Sequence, residues 1–79
     1  MTWNNRVLVH QQEDEVFFQI HEVYYNDQNI PTGYTENGTR IISEDFKGLE
    51  WTLNNMLECL KKPVLWAGEK FPQEYENTL

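Results

Sequence analysis

Ile20-His21-Glu22-Val23-Tyr24-Tyr25 is the stretch on which the reading of the fold turns. β-Branched and aromatic residues dominate it, and alternating side chains run through 15–25 with the period of a half-buried strand. Val16, Phe18, Ile20 and Tyr24 fall on one side, and Phe17, Gln19, His21 and Val23 on the other. Upstream, residues 3–11 alternate in the same way: Trp3, Val7 and Val9 on one side, Asn4, Arg6, Leu8 and His10 opposite. The polar Gln12-Glu13-Asp14 between the two runs predicts an antiparallel hairpin. A two-residue turn at Glu13-Asp14 sets Val9 beside Phe18 and Val7 beside Ile20. A slip of one residue would divide those groups between the faces.

Downstream, Asn26-Asp27-Gln28-Asn29 has turn chemistry, and Pro31 opens an extended stretch suited to a sheet edge. Glu36-Asn37-Gly38-Thr39 reads as a type I′ hairpin turn, because Asn-Gly supplies two positions able to take positive φ. Short strands are expected near 32–36 and 39–42. Asp45 is the expected helix N-cap, with Ser43 the alternative. Phe46, Leu49, Leu53, Met56, Leu57 and Leu60 then fall within an arc of about 100° at helical spacing. Lys61 and Lys62 suit the negative end of the helix dipole, and Pro63 stops the helix. Gly48 in the first turn costs about 1 kcal/mol relative to Ala. After Leu65 the periodicity ends, and the tail carries Trp66, Phe71 and Tyr75 among Gly, Pro and acids.

These signals predict an α+β fold: an antiparallel meander of three or four strands with one C-terminal amphipathic helix on a single face. Residues 1–65 form the domain, and 66–79 an aromatic, acidic tail. The expected core is Trp3, Val7, Val9, Val16, Phe18 and Ile20 from the sheet, with the six residues of the helical arc.

Seventy-nine residues are enough for one domain. Cys59 is the only cysteine, which excludes an intramolecular disulfide and fits a reducing compartment. No apolar run follows a basic start, and none approaches the roughly 18–20 residues of a membrane span. A cytoplasmic protein without a membrane partner is therefore expected. The net charge of −7 repels phosphate backbones, which disfavours direct nucleic-acid binding, and it keeps a small protein soluble.

Trp3-Asn4, the run from Ile20 to Tyr25, Pro31 with Tyr34-Thr35-Glu36, and the leucine-patterned helix closed by Lys62-Pro63-Val64-Leu65 together resemble a group of small, uncharacterised bacterial proteins. The resemblance covers about four-fifths of the chain, ending near Leu65, and it implies the fold without implying an activity. The extended tail and Gly48 depart from that pattern. A weaker likeness, at the level of strands followed by a capped helix, is to HicB-like antitoxins. The chain lacks the Gly-rich strand pairing and Pro-Gly-Cys turn of that group.

His21-Glu22 invites comparison with His-Glu-x-x-His zinc sites, but the next histidine position holds Tyr25, and neighbours on a strand point to opposite faces. His10 and His21 share a face, yet the register separates them by four ladder steps, roughly 13 Å. They read as two ordinary strand histidines, and no metal or cofactor is expected. Cys59, at the flank of the helical arc with no base beside it, reads as a structural thiol. No pair of carboxylates can be placed across a cleft, so no catalytic residue is assigned and an enzyme is not expected.

Trp51 projects about 170° from the centre of the apolar arc, among Glu50, Asn54, Asn55 and Glu58. Either the tail's Trp66 or Phe71 folds over it, or it contacts a partner or second copy, or it is simply exposed. The sheet face opposite the helix offers Leu8, Phe17 and Val23 interleaved with Arg6, His10, Gln19 and His21, a pattern that suits either plain solvent-facing sheet or a dimer or partner surface. The expected interaction surface is therefore Trp51, Asn55, Phe17, His10, His21 and Val23. The expected function is a non-enzymatic interaction module that binds another protein or a second copy of itself. The alternative is an acidic, antitoxin-like inhibitor masking a basic surface.

Overall fold

The computed structural model describes residues 2–76. In chain order the elements are β1 (Thr2–Gln12), β2 (Glu15–Tyr25), β3 (Pro31–Tyr34), α1 (Phe46–Cys59) and β4 (Leu65–Trp66), followed by a 3-10 turn at Gly68–Lys70. The last three residues of the tail lie outside the described residues.

β1 and β2 pair antiparallel over their full lengths in the register the apolar alternation demands, Val9 opposite Phe18 and Val7 opposite Ile20. Glu13 in the connecting turn takes φ 57, the left-handed conformation such a short turn needs. The sheet order is β3-β2-β1-β4, and β4 runs parallel to β1, with Leu65 opposite Leu8. The expectation of an α+β fold with four strands and one helix holds at that level, but the sheet is mixed and curls into a half-barrel instead of forming a meander. The helix is the crossover from the β3 side to β4, which a parallel pairing requires.

The Asn37-Gly38 hairpin does not form. Gly38 is not among the positive-φ residues, and no strand spans 39–42. The chain instead continues beside β2, where the Thr35 and Thr39 amides donate to the Glu22 and Ile20 carbonyls. Gly38 lies against Gln19, whose exposed side chain occupies the place where a Cβ would stand and would have to swing aside for one.

Curling moves the centre of the core. Leu8, Val23, Tyr25 and Leu65 form the buried cluster, with Tyr34, Ala67 and Phe71 packed against it. This is the face expected to be open. The tail covers it: Ala67 donates its amide to the Val9 carbonyl, and residues 73–75 return along β4, with Leu65 bridged to Glu74. Phe71, beyond the β4 edge, meets Tyr34 on the β3 edge with ring centroids 4.8 Å apart. The Tyr34 hydroxyl also accepts from the Gly68 amide at 2.7 Å. The two edges of the sheet are thereby tied across the concave face.

The other face carries α1, whose principal contact is β1. Val7, Val9 and Met56 are buried as expected, whereas Trp3, Val16, Phe18, Phe46, Leu53, Leu57 and Leu60 are exposed and leave the expected core. The helix starts at its expected N-cap, with Asp45 Oδ1 accepting from the Gly48 amide at 2.6 Å. Gly48 has a packing reason. The Ser43 hydroxyl stands where a Cβ would be, so any larger residue here must displace the Ser43 side chain from the capping loop.

Candidate interaction surface

The inward residues of α1 are Met56 and Cys59, buried, with Gly48, Thr52 and Asn55 half-buried. At 100° per residue these centre roughly 100° away from the leucine arc. The exit of the helix sets this roll. Arg6 Nη2 donates to the Pro63 carbonyl at 2.7 Å, and the β4 pairing follows two residues later, so the last turn must present Met56 and Cys59 to the sheet. The thiol of Cys59 donates to the Met56 carbonyl at 2.8 Å, and burial pushes its pKa up, so it is held as a neutral structural group.

The consequence is an apolar arc directed at solvent. Phe46 is 82% exposed, Leu53 47%, Leu57 61% and Leu60 60%, and Leu49 is half-buried between them. Ile41 and Ile42, on the approach to the helix, are exposed as well. Leaving one such side chain in water instead of burying it forgoes about 1.5–3 kcal/mol. A contiguous helical arc of them is therefore the surface most in need of a cover.

Trp51 lies on the opposite flank of the helix and is 65% exposed. The tail does not fold over it. Trp66 packs on Tyr75 with Lys70 above its ring, and Phe71 packs on Tyr34. Trp51, Asn55 and Trp3 instead line a cleft of about 550 Å³ between helix and sheet, with Glu22, Arg40 and Lys62 on its rim. Asn55 is occupied there, its Nδ2 donating to the Trp51 carbonyl at 3.0 Å.

The remaining expected residues do not form a surface. Val23 is fully buried in the cluster the tail packs against, and His21 is fully buried among His10, Tyr34 and Thr35, which excludes both from contact with a partner. Phe17 stays exposed, and His10 stacks on it with centroids 4.8 Å apart. The two histidines, expected to stand well apart, meet: His10 Nε2 lies 2.9 Å from His21 Nε2. Ladder steps measure spacing along the strands, whereas on a concave face the side chains converge. His21 Nδ1 is 2.9 Å from the Thr35 carbonyl, which can only accept, so Nδ1 carries the proton. Neutral His21 then accepts at Nε2, and His10 donates through its own Nε2–H. Among the described residues no group of three His, Cys, Asp or Glu is placed to hold a metal ion.

Burial holds the His21 pKa below its ordinary value, repulsion from His10 adds to the effect, and the Thr35 carbonyl opposes it. The unfolded chain takes up this proton near pH 6.5, whereas the native state does so only at lower pH. Between those values the unfolded state binds more protons, so stability falls as pH drops below about 6.5.

No family model, curated protein or solved structure matches this chain. The functional reading therefore rests on the geometry.

Proposed function

We propose that this chain is a non-enzymatic protein-interaction module whose contact surface is the outward apolar arc of α1: Phe46, Leu49, Leu53, Leu57 and Leu60. The observation that carries it is the roll of the helix, which turns its leucines to solvent and its smaller, more polar side to the sheet. Such an arc is the form in which a helix offers anchors at i, i+3, i+4 and i+7 to a partner groove or helix. Glu50, Asn54 and Lys61 flank it as a polar rim. Trp51, on the other flank, is a separate exposed aromatic and not a part of the arc.

The site of action is the cytoplasm, a reading supported by the single buried thiol and by the absence, among the described residues, of any helix long and apolar enough to cross a membrane. The arc is tested by replacing Phe46 and Leu57 with Glu. Both are exposed, so folding should survive, while affinity capture of a host partner, or self-association, should be lost. Unchanged association in the double variant overturns the surface. Association that collapses with added salt yet ignores these substitutions would favour an acidic inhibitor acting through its −7 net charge.

A further inference from the structure

We infer that the occupant of the α1 arc is a second copy of this chain, paired across a two-fold axis with the two helices antiparallel. The inference rests on the arc being the contact surface.

Its first support is the spacing. Phe46, Leu49, Leu53, Leu57 and Leu60 follow one another at intervals of three, four, four and three residues. That order reads the same in both directions about Leu53. A two-fold interface requires self-complementarity, residue i meeting j while j meets i. Antiparallel pairing centred on Leu53 meets that condition: Leu53 lies on the axis, Leu49 faces Leu57 of the other copy, and Phe46 faces its Leu60. The seam is about 21 Å long at 1.5 Å per residue. A parallel pair would align each residue with itself and superpose the like charges of the helix ends.

Charge is the second support. Glu44 and Asp45 stand at the helix N-terminus and Lys61 and Lys62 just past its C-terminus. Antiparallel pairing sets the acidic N-terminus of one copy level with the Lys61-Lys62 end of the other, where Lys61 already pairs with Glu58 of its own helix at 3.2 Å, and it also opposes the helix dipoles.

Surface area is the third support. A compact monomer of 9.5 kDa exposes about 5,000 Å² by the usual scaling of area with mass. This chain exposes 6322 Å². The surplus of roughly 1,300 Å², to which the exposed hairpin end at residues 11–19 also contributes, leaves room for the roughly 800 Å² that each partner of a standard interface buries. The radius of gyration agrees, at 13.3 Å against about 11.6 Å for a compact chain of this length.

The test uses single cysteines on the arc under mild oxidation by oxidised glutathione, with the wild-type chain as the control because Cys59 is buried against the sheet. Helix axes 8–10 Å apart bring facing Cα atoms within disulfide reach. Leu53→Cys should cross-link to itself. Leu49→Cys alone should not, while an equal mixture of Leu49→Cys and Leu57→Cys should. Self-cross-linking of Leu49→Cys as readily as Leu53→Cys overturns the antiparallel arrangement. A wild-type chain that stays monomeric, with none of these variants cross-linking, overturns the second copy altogether. If partner capture is nevertheless lost in the Phe46→Glu and Leu57→Glu variant, the arc stands as the contact surface and only its occupant changes.

Discussion

Leu8→Ala and Leu57→Ala should differ sharply in cost, although both shorten a leucine by the same atoms. Leu8 is fully buried on the concave face, opposite Leu65 and beneath the tail. Removing it costs the transfer energy of the lost methyl groups plus a cavity term, about 3–4 kcal/mol for a site that cannot collapse. Leu57 is 61% exposed, so only about four-tenths of its burial energy is at stake, no more than about 1 kcal/mol. The total stability expected for 79 residues is about 4–12 kcal/mol, so Leu8→Ala removes a large fraction of it.

Thermal unfolding followed by circular dichroism reads the difference. In a domain this size each 1 kcal/mol moves Tm by about 4–8 °C. Leu8→Ala should lower Tm by at least roughly 12 °C, and Leu57→Ala by no more than about 8 °C. The comparison belongs at dilutions where Tm no longer depends on protein concentration, because association would stabilise the Leu57 side by mass action. Equal losses for the two variants in that range would refute the assignment of the core to the concave face and the roll assigned to α1.

Three further outcomes follow from the same geometry. Phe71→Ala removes the ring that ties the tail to Tyr34, and should cost about 1–3 kcal/mol and open residues 66–76 to limited proteolysis; an unchanged digestion pattern would count against the docked tail. Asp45→Ala should lose about 1 kcal/mol by urea unfolding with an unchanged slope, and no loss would show that the Gly48 amide finds another acceptor. Urea midpoints should fall between pH 7.5 and 5.5 through His21, whose pKa is lowered, and His21→Gln should flatten that slope; an equal slope in the variant would place the titration elsewhere.

Much of the sheet could be read from the chain. The β1–β2 register was legible because two runs with period 2 and a two-residue turn admit one pairing. Which face would be buried was not legible. Both faces carry apolar residues, Val7 and Val9 on one and Leu8 and Val23 on the other, so alternation alone cannot choose. The choice is made by β4, two residues whose parallel pairing with β1 leaves no local signal, and by Phe71 reaching Tyr34. Asn37-Gly38 misleads as a turn signal because glycine serves close approach as well as positive φ, and here the Gln19 side chain lies where a Cβ would stand.

The helix was legible in its cap, its length and its apolar arc. Its roll was not, since the arc's direction depends on the Arg6 contact to Pro63 and on the exit to β4. A leucine arc normally marks the buried side, and here that inference fails because Met56 and Cys59, not the leucines, are turned to the sheet. Helical spacing puts Trp51 away from the apolar arc, and it is exposed, whereas nothing in the sequence shows that the face carrying His21 and Val23 is closed, His21 by Tyr34 and Thr35 and Val23 by the tail. The His10–His21 contact had no sequence signal beyond a shared face, because it depends on how strongly the sheet curls.

Sedimentation equilibrium of the wild-type chain beside Leu53→Glu decides whether the α1 arc pairs two copies. Leu53→Glu sets two carboxylates against each other on the proposed axis while leaving an exposed position in each folded chain. The wild type should sediment at twice its 9.5 kDa at micromolar concentration, and Leu53→Glu at 9.5 kDa with its circular dichroism spectrum unchanged. A wild type of 9.5 kDa across the accessible range, or a Leu53→Glu variant that dimerises as well as the wild type, would contradict the account.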